Sequence, residues 1–137
     1  MNLTQDNPIN PIIIENVDWF YIEKALSNIN PITKAFFILT DPISGSYIQC
    51  AGGVERLCAE IRVIANGKFK HYFIGKEVGK NPYNVIWTQI DCRIGPIRIH
   101  TTEVLNILDA QKLFNSFLTD GTIPTSYNLR NVTRQFS

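Results

Sequence analysis

The amino-acid sequence predicts a single α+β domain with a mostly antiparallel sheet of five to six strands. The chain has 137 residues, the size of one ordinary domain, so we expect residues 1–137 to fold together. It contains 20 isoleucines, a β-branched type that favours strands. Apolar patterns run from a helix through several strands with hairpin signals to a second helix, without strand–helix alternation. We expect an N-terminal and a C-terminal helix to pack on one face of the sheet.

The first part of the chain predicts a loose lead-in, an edge strand and a helix. Residues 1–11 end in a polar segment that contains two prolines, so we expect them to be poorly ordered. Residues 12–14 are three isoleucines and indicate an edge strand. Apolar residues recur at helical spacing over residues 17–29, and Asn16 stands where an N-cap is expected.

The middle of the chain predicts successive strands. Residues 35–40 and 46–51 are strand-type segments, joined by a turn that contains proline and glycine. The clearest strand signal follows, because apolar and polar residues alternate strictly from Arg56 to Val63. Asn66-Gly67 is typical of a hairpin turn, and residues 69–75 predict the returning strand.

Two registers are possible for this hairpin. A two-residue loop places Val63 opposite Lys70 and puts lysines on the apolar face. A three-residue loop pairs Val63 with Phe69 and separates apolar from polar side chains. A slip of one residue moves every side chain to the other face, so we expect the register with the cleaner separation. That register creates a polar face with Glu60, Arg62, Lys70 and Tyr72.

The last third of the chain predicts further strands and the second helix. Residues 77–83 are a polar loop, and residues 85–94 and 97–104 are of strand type. Asn106 is a second N-cap, and Gly121 ends an amphipathic helix in the usual C-terminal position. We expect the tail, 122–137, to be extended.

Charge is distributed unevenly along the chain, although the net charge is only +1. Residues 1–55 carry −4 and residues 99–137 are balanced. Residues 56–98 hold eight basic against three acidic residues, an excess of +5. Such a region can steer an acidic partner or a phosphate backbone towards the protein.

Catalytic and metal-binding patterns are weak. Cys50, Cys58 and Cys92 lack the paired spacing of a disulfide framework and fit a reducing compartment. No C-x-x-C or H-x-x-x-H spacing predicts a metal site or another cofactor site. A thiol enzyme would need a cysteine beside His71 or His100, and the expected register puts Cys58 and His71 on opposite faces. We therefore predict that the protein is not an enzyme and acts on no small-molecule substrate.

Two stretches of the sequence carry a family resemblance. They are Tyr47–Gly53 with Leu57–Arg62, and Asp109–Phe114 with Phe117, Gly121–Pro124, Tyr127 and Leu129-Arg130. These stretches resemble the small immunity proteins of bacterial polymorphic-toxin and contact-dependent growth inhibition systems. The resemblance implies a cytoplasmic protein that binds a cognate toxin domain and blocks it. The apolar runs are too short to span a membrane, and we see no secretory signal, in agreement with this expectation.

The charged hairpin and its neighbourhood form the expected toxin-binding surface. Tyrosine, tryptophan and arginine dominate protein interfaces, and complementary charge accelerates association. The candidate residues are Arg56, Glu60, Arg62, Lys68, Lys70, Tyr72, Tyr83 and Trp87. A nucleic-acid-binding module that uses the basic residues 56–98 is the alternative, and a small Cys–His enzyme is the third hypothesis.

Overall fold

The computed structural model describes residues 1–76 and 85–136. Within these ranges the chain forms nine strands, two α-helices and two short 3₁₀ turns, at Thr101–Glu103 and Thr133–Phe136. The strands are β1 (Asn2–Gln5), β2 (Ile12–Ile14), β3 (Phe36–Thr40), β4 (Tyr47–Gly52), β5 (Leu57–Ala65), β6 (Lys68–Gly75), β7 (Trp87–Ile90), β8 (Ile97–His100) and β9 (Asn128–Asn131). The helices are α1 (Trp19–Leu26) and α2 (Ile107–Asp120).

The architecture is α+β, as predicted, with more strands than expected. Seven strands form one antiparallel sheet in the order β2-β1-β3-β4-β5-β6-β9. Strands β7 and β8 pair in a separate two-stranded sheet. Neither helix is terminal, because two strands precede α1 and β9 follows α2.

The lead-in is ordered over its first half, which corrects the prediction of a loose segment at 1–11. Strand β1 lies inside the sheet between β2 and β3, and Leu3 is fully buried. After β1, residues 6–11 lie outside strands, and Pro8 to Pro11 are exposed. The prolines therefore end the strand without loosening the residues before them.

The observed boundaries differ from the prediction for α1 and agree with it for α2. Asp18, rather than Asn16, caps α1 by accepting a hydrogen bond from the Tyr21 backbone, so the helix is shorter than the predicted range 17–29. Helix α2 begins as predicted, with reciprocal side-chain-to-backbone bonds between Asn106 and Asp109. It ends at Gly121, whose positive φ of 75° suits glycine.

The β5–β6 hairpin has the register of the two-residue loop, so the prediction of a three-residue loop was wrong. Ala65 pairs with Lys68 around a two-residue Asn66-Gly67 turn, so Val63 lies opposite Lys70 and Ile61 opposite Tyr72. Both turn residues have positive φ, 54° and 72°, as a type I′ turn requires. The lysines are tolerated beside Val63 because this end of the hairpin extends past the core, where Val63 is itself 43% exposed.

The main sheet is covered on both faces, which the sequence prediction did not foresee. On one face, the helix face, α1 and α2 pack on β1, β3, β4, β5 and β6 through residues such as Leu3, Leu39, Ile61, Leu113 and Phe114. On the opposite face, the second face, the β7–β8 sheet covers a smaller cluster that includes Cys58, Phe73, Ile90 and Ile99. Glu60 points to this second face and is 9% exposed, instead of lying in solvent as predicted.

The strands predicted over 85–94 and 97–104 are shorter and form a hairpin with each other. Trp87 pairs with His100, and Ile90 with Ile97. The tail predicted as extended includes β9, which pairs with β6 and then turns at Thr133. The polar loop predicted at 77–83 lies outside the described residues.

Candidate functional site

The predicted toxin-binding residues do not form one surface. The register places Glu60 and Arg62 on the second face, and Lys68, Lys70 and Tyr72 on the opposite side of the sheet. Tyr72 packs against the helix-face core, which corrects its prediction as part of a polar face. Tyr83 lies outside the described residues. Four separate groups therefore remain, around Arg56, around Arg62, around Lys68 and Lys70, and around Trp87.

Arg56 holds two parts of the fold together. Its guanidinium donates to Oγ1 of Thr88 at 2.8 Å and to the Gln89 carbonyl at 3.0 Å. These bonds fasten the β4–β5 connection to β7. Two of its donors are therefore committed within the molecule.

Glu60 and Arg62 are joined through His71. Nε of Arg62 lies 3.1 Å from Nδ1 of His71, and Nε2 of His71 lies 2.9 Å from Oε1 of Glu60. A guanidinium can only donate, so Nδ1 accepts and the ring proton sits on Nε2, which donates to Glu60. Gln49 donates to the other carboxylate oxygen at 2.8 Å. The four side chains form a satisfied network under the second face.

An aromatic shell covers the Arg62 end of this network. The Arg62 guanidinium lies 4.2 Å from the centre of the Phe69 ring, 4.8 Å from Phe136 and 5.6 Å from Tyr47. Such cation–π contacts stabilise a cation when it is shielded from water. Burial raises the pKa of Tyr47, with Arg62 opposing and Glu60 assisting the change. These ring contacts hold the Arg62 guanidinium within the protein, so it is less accessible to a partner.

This network is not arranged for catalysis by a thiol. Cys58 lies on the same face as His71, which corrects the prediction that they are on opposite faces. Both ring nitrogens of His71 are occupied, and the residue is 1% exposed, so it has no free position for a general base. Burial raises the pKa of the Cys58 thiol well above its usual value, and that of Cys50 to about 12. Both thiols are therefore protonated near neutral pH.

Trp87 belongs to an exposed face that alternation creates on the β7–β8 sheet. Thr88, Ile90, Ile97 and Ile99 point towards the main sheet, and Ile90 and Ile99 are buried. The other side presents Trp87, Gln89, Arg98 and His100, which we call the Trp87 face. Trp87 is 46% exposed.

The Trp87 ring is held by its neighbours in a fixed orientation. The His100 ring meets it edge-on, with centroids 4.4 Å apart and an interplanar angle of 89°. The Arg98 guanidinium lies 4.6 Å from the ring centre, and that of Arg130 lies 5.4 Å away. A rigid, half-exposed tryptophan loses little conformational entropy when a partner covers it.

The two arginines that lie near the Trp87 ring differ in their ion pairing. Arg130 is paired with Glu103, whereas Arg98 is exposed and has no ion-pair partner among residues 1–76 and 85–136. Burial lowers the pKa of His100, as does the nearby Arg130, while Glu103 opposes the change. His100 is therefore uncharged near neutral pH, which leaves Arg98 as the cation available to a partner on this face.

The sequence analysis proposed Trp87 as a site residue and did not name the residues that surround it in the structure. Arg98, His100 and Arg130 were not predicted as site residues, because β8 and β9 bring them to Trp87 from positions far along the chain. The alternation in Arg98-Ile99-His100 was the available signal, since it places a cation and an imidazole on one side of a short strand.

Within residues 1–76 and 85–136, no group of three or more His, Cys, Asp or Glu side chains is placed to hold a metal ion. No helix in those ranges combines the length and the apolar character needed to cross a bilayer. Comparison with known proteins assigns no relative: no family model matches the chain, and no curated protein matches it significantly.

Proposed function

We propose that this protein is an immunity protein that neutralises a cognate toxin domain by binding it and covering its active site or substrate path. The Trp87 face is the proposed centre of the interface. This proposal joins the resemblance in the sequence to a surface whose composition suits protein recognition. It implies a cytoplasmic location, which fits the free thiols of Cys50, Cys58 and Cys92.

The observation that carries the proposal is the exposed Trp87 beside Arg98, which has no ion-pair partner among the described residues. Tryptophan and arginine are the residue types that most often dominate binding energy when a partner desolvates them. Ile90 and Ile99 are packed in the core beneath the Trp87 face and support it. A partner with an acidic group near an apolar pocket would satisfy Arg98 and cover Trp87 together.

The nucleic-acid alternative receives less support from the structure. A phosphate-binding surface needs several free cations on one side of the molecule. In the 56–98 region, Arg56, Arg62, Lys76 and Arg93 instead bond to other side chains of the protein. The remaining described cations, Lys68, Lys70 and Arg98, occupy two different surfaces.

The test uses the toxin domain encoded next to this protein in its genome, with growth protection and calorimetric binding as readouts. Trp87→Ala should weaken binding at least about 30-fold, the size of an interface hot spot of about 2 kcal/mol. Arg98→Ala should weaken it less and mainly slow association at low salt. Phe20→Ala is the matched control, because Phe20 is an aromatic residue that is 80% exposed on α1.

Three results would contradict the proposal. If the folded protein neither binds nor protects against that toxin, the immunity role is wrong. If Trp87→Ala binds as well as the parent while Phe20→Ala does not, the interface lies on the α1 side instead. Protection that is lost in a His71→Gln variant with normal folding and toxin binding would indicate an enzyme.

A further inference from the structure

Strand β6 has an open edge at its start, next to a groove. Strand β9 pairs only with Tyr72–Gly75 of β6. Two further hydrogen bonds follow: the His71 carbonyl accepts from the Val132 N–H, and the His71 N–H donates to Oγ1 of Thr133. The chain then turns away in the 3₁₀ segment Thr133–Phe136. Within the part of the chain that the structure describes, Lys68–Lys70 therefore has β5 on one side and no strand on the other.

The backbone of Phe69 points out of this open edge. In an antiparallel strand, the N–H and C=O groups of alternate residues face the same neighbour. The His71 groups face β9, so those of Phe69, two residues earlier, face the same direction. They have no hydrogen-bond partner within the residues that the structure describes.

The groove beside the edge has a basic rim. It has a volume of about 1150 Å³ and is lined by Val63, Ala65, Lys68, Lys70 and Asn131, among others. The observed register places Lys68 and Lys70 on one side of β6, the same side as Val63 of β5, which lies opposite Lys70. Both lysines are exposed, and neither has an acidic partner in the described ranges.

We propose that this edge binds an acidic, extended segment of a partner protein, which pairs with Phe69 as an added strand. The flanking positions of an incoming antiparallel strand share one side, so two carboxylates separated by one residue would meet Lys68 and Lys70. The segment therefore has the pattern acidic, apolar, acidic. The inference does not depend on the toxin-neutralising role or on the Trp87 face.

A second copy of this chain is a poor occupant of the same edge. Antiparallel pairing of two β6 edges about Phe69 would place Lys68 of each copy opposite Lys70 of the other. Like charges directly opposite each other destabilise a strand pair. Edge lysines are also a common defence against such self-association. The same two lysines that oppose a copy attract an acidic strand.

The probe is a capped peptide, Thr-Thr-Glu-Val-Glu-Thr-Thr, compared with the same peptide carrying Gln in place of each Glu. NMR titration of the ¹⁵N-labelled protein should show shifts centred on the amides of residues 68–70 and protection of the Phe69 amide. The Glu peptide should bind at least ~10-fold more tightly at low salt, and the difference should shrink near ~0.5 M salt, where screening is strong. Lys68→Glu with Lys70→Glu should abolish the preference.

Backbone pairing is tested with two substitutions at one position. Phe69→Ala keeps the outward N–H, whereas Phe69→Pro removes it without removing a donor to β5, and proline is tolerated on an edge in this orientation. Binding should survive in the Ala variant and be lost in the Pro variant, with both folds checked by NMR. Absence of shifts at millimolar peptide, equal binding of both peptides, or a dimer that Phe69→Pro dissociates would each overturn the proposal.

Discussion

Arg130 holds the buried carboxylate of Glu103 through two parallel hydrogen bonds. Nε lies 2.7 Å from Oε2, and Nη2 lies 2.8 Å from Oε1. Glu103 is 3% exposed and also accepts the His100 backbone N–H at 2.8 Å. The Arg130 guanidinium lies over Phe73 and near Trp87. One side chain thus joins β9 and the 3₁₀ turn after β8 beneath the proposed interface.

Removal of Arg130 should therefore be costly. Arg130→Ala leaves the Glu103 carboxylate buried without its cation, and we expect a loss of about 3–5 kcal/mol in the free energy of unfolding. Arg98→Ala is the matched control, since Arg98 is exposed and should change stability by less than about 0.5 kcal/mol. Urea denaturation of both variants measures the difference. Equal losses would show that the Glu103 pair does not stabilise the fold.

Acid sensitivity should depend on the hydrogen bond from Tyr127 to Asp109. Burial tends to raise the pKa of Asp109, but bonds from Tyr127 at 2.8 Å, the Asn106 backbone and Lys76 hold it below its ordinary 3.8. A carboxyl with a depressed folded-state pKa contributes stability that is present above the unfolded value and is lost as pH falls through the folded value. Tyr127→Phe should therefore lower stability at neutral pH and reduce the acid-dependent part of the loss.

The check is urea unfolding of the parent and Tyr127→Phe between about pH 6 and about pH 2, across the range in which this carboxyl titrates. Tyr21→Phe is the control, because the Tyr21 hydroxyl has only a 3.4 Å contact with Gln5. The two proteins should differ most at the upper end of the range and converge at the lower end. A stability difference that is constant over the whole range would contradict the assignment.

The three thiols should differ in reactivity in the folded protein. Cys50 and Cys58 are 1% exposed, and burial raises the pKa of both. Cys92 is partly exposed, with its sulfur 3.6 Å from the Gly95 carbonyl. Ellman's reagent near pH 8 should modify one thiol rapidly and the other two only on unfolding. Cys92→Ser should remove the fast phase, and a fast phase that persists would show that Cys50 or Cys58 is accessible in the folded protein.

A side chain at position 67 should destabilise the hairpin turn through backbone geometry alone. Gly67 has φ of 72°, and a Cβ there would meet no atom within 4 Å. Gly67→Ala should cost about 1–2 kcal/mol, the penalty of the left-handed conformation for an L-residue. Gly67→Asn should cost less, because asparagine tolerates that conformation. Equal thermal stability of the Ala variant and the parent would show that residue 67 is not held in the left-handed conformation.

Local signals explain the parts of the fold that the sequence predicted well. The bonds that start α2 lie within three residues of each other, and the glycine that ends it follows directly. The alternation from Leu57 onwards likewise indicates a strand from neighbouring residues alone. Each of these features depends on short-range geometry, so it was accessible before any tertiary contact was known.

The prediction of the hairpin register was wrong because it assumed that one face of β5 meets solvent. Glu60 is instead buried on the second face, where His71 and Gln49 satisfy its carboxylate. Val63 points to the predicted apolar side but lies beyond the helices. Burial at both positions depends on elements distant in the sequence, and the same dependence hid Arg98 and Arg130 as neighbours of Trp87.

The strand order has a consequence for how the chain reaches this fold. The β5–β6 hairpin closes a loop of two residues, whereas Asp6 meets Arg93 across 87 positions while also accepting the Ala35 N–H. Loop-closure entropy makes the first contact inexpensive and the second slow to form. We expect the hairpin to be structured in the folding transition state and the Asp6–Arg93 pair to form after it. A destabilising substitution at Asp6 would then mainly accelerate unfolding, and one in the Asn66-Gly67 turn would mainly slow folding.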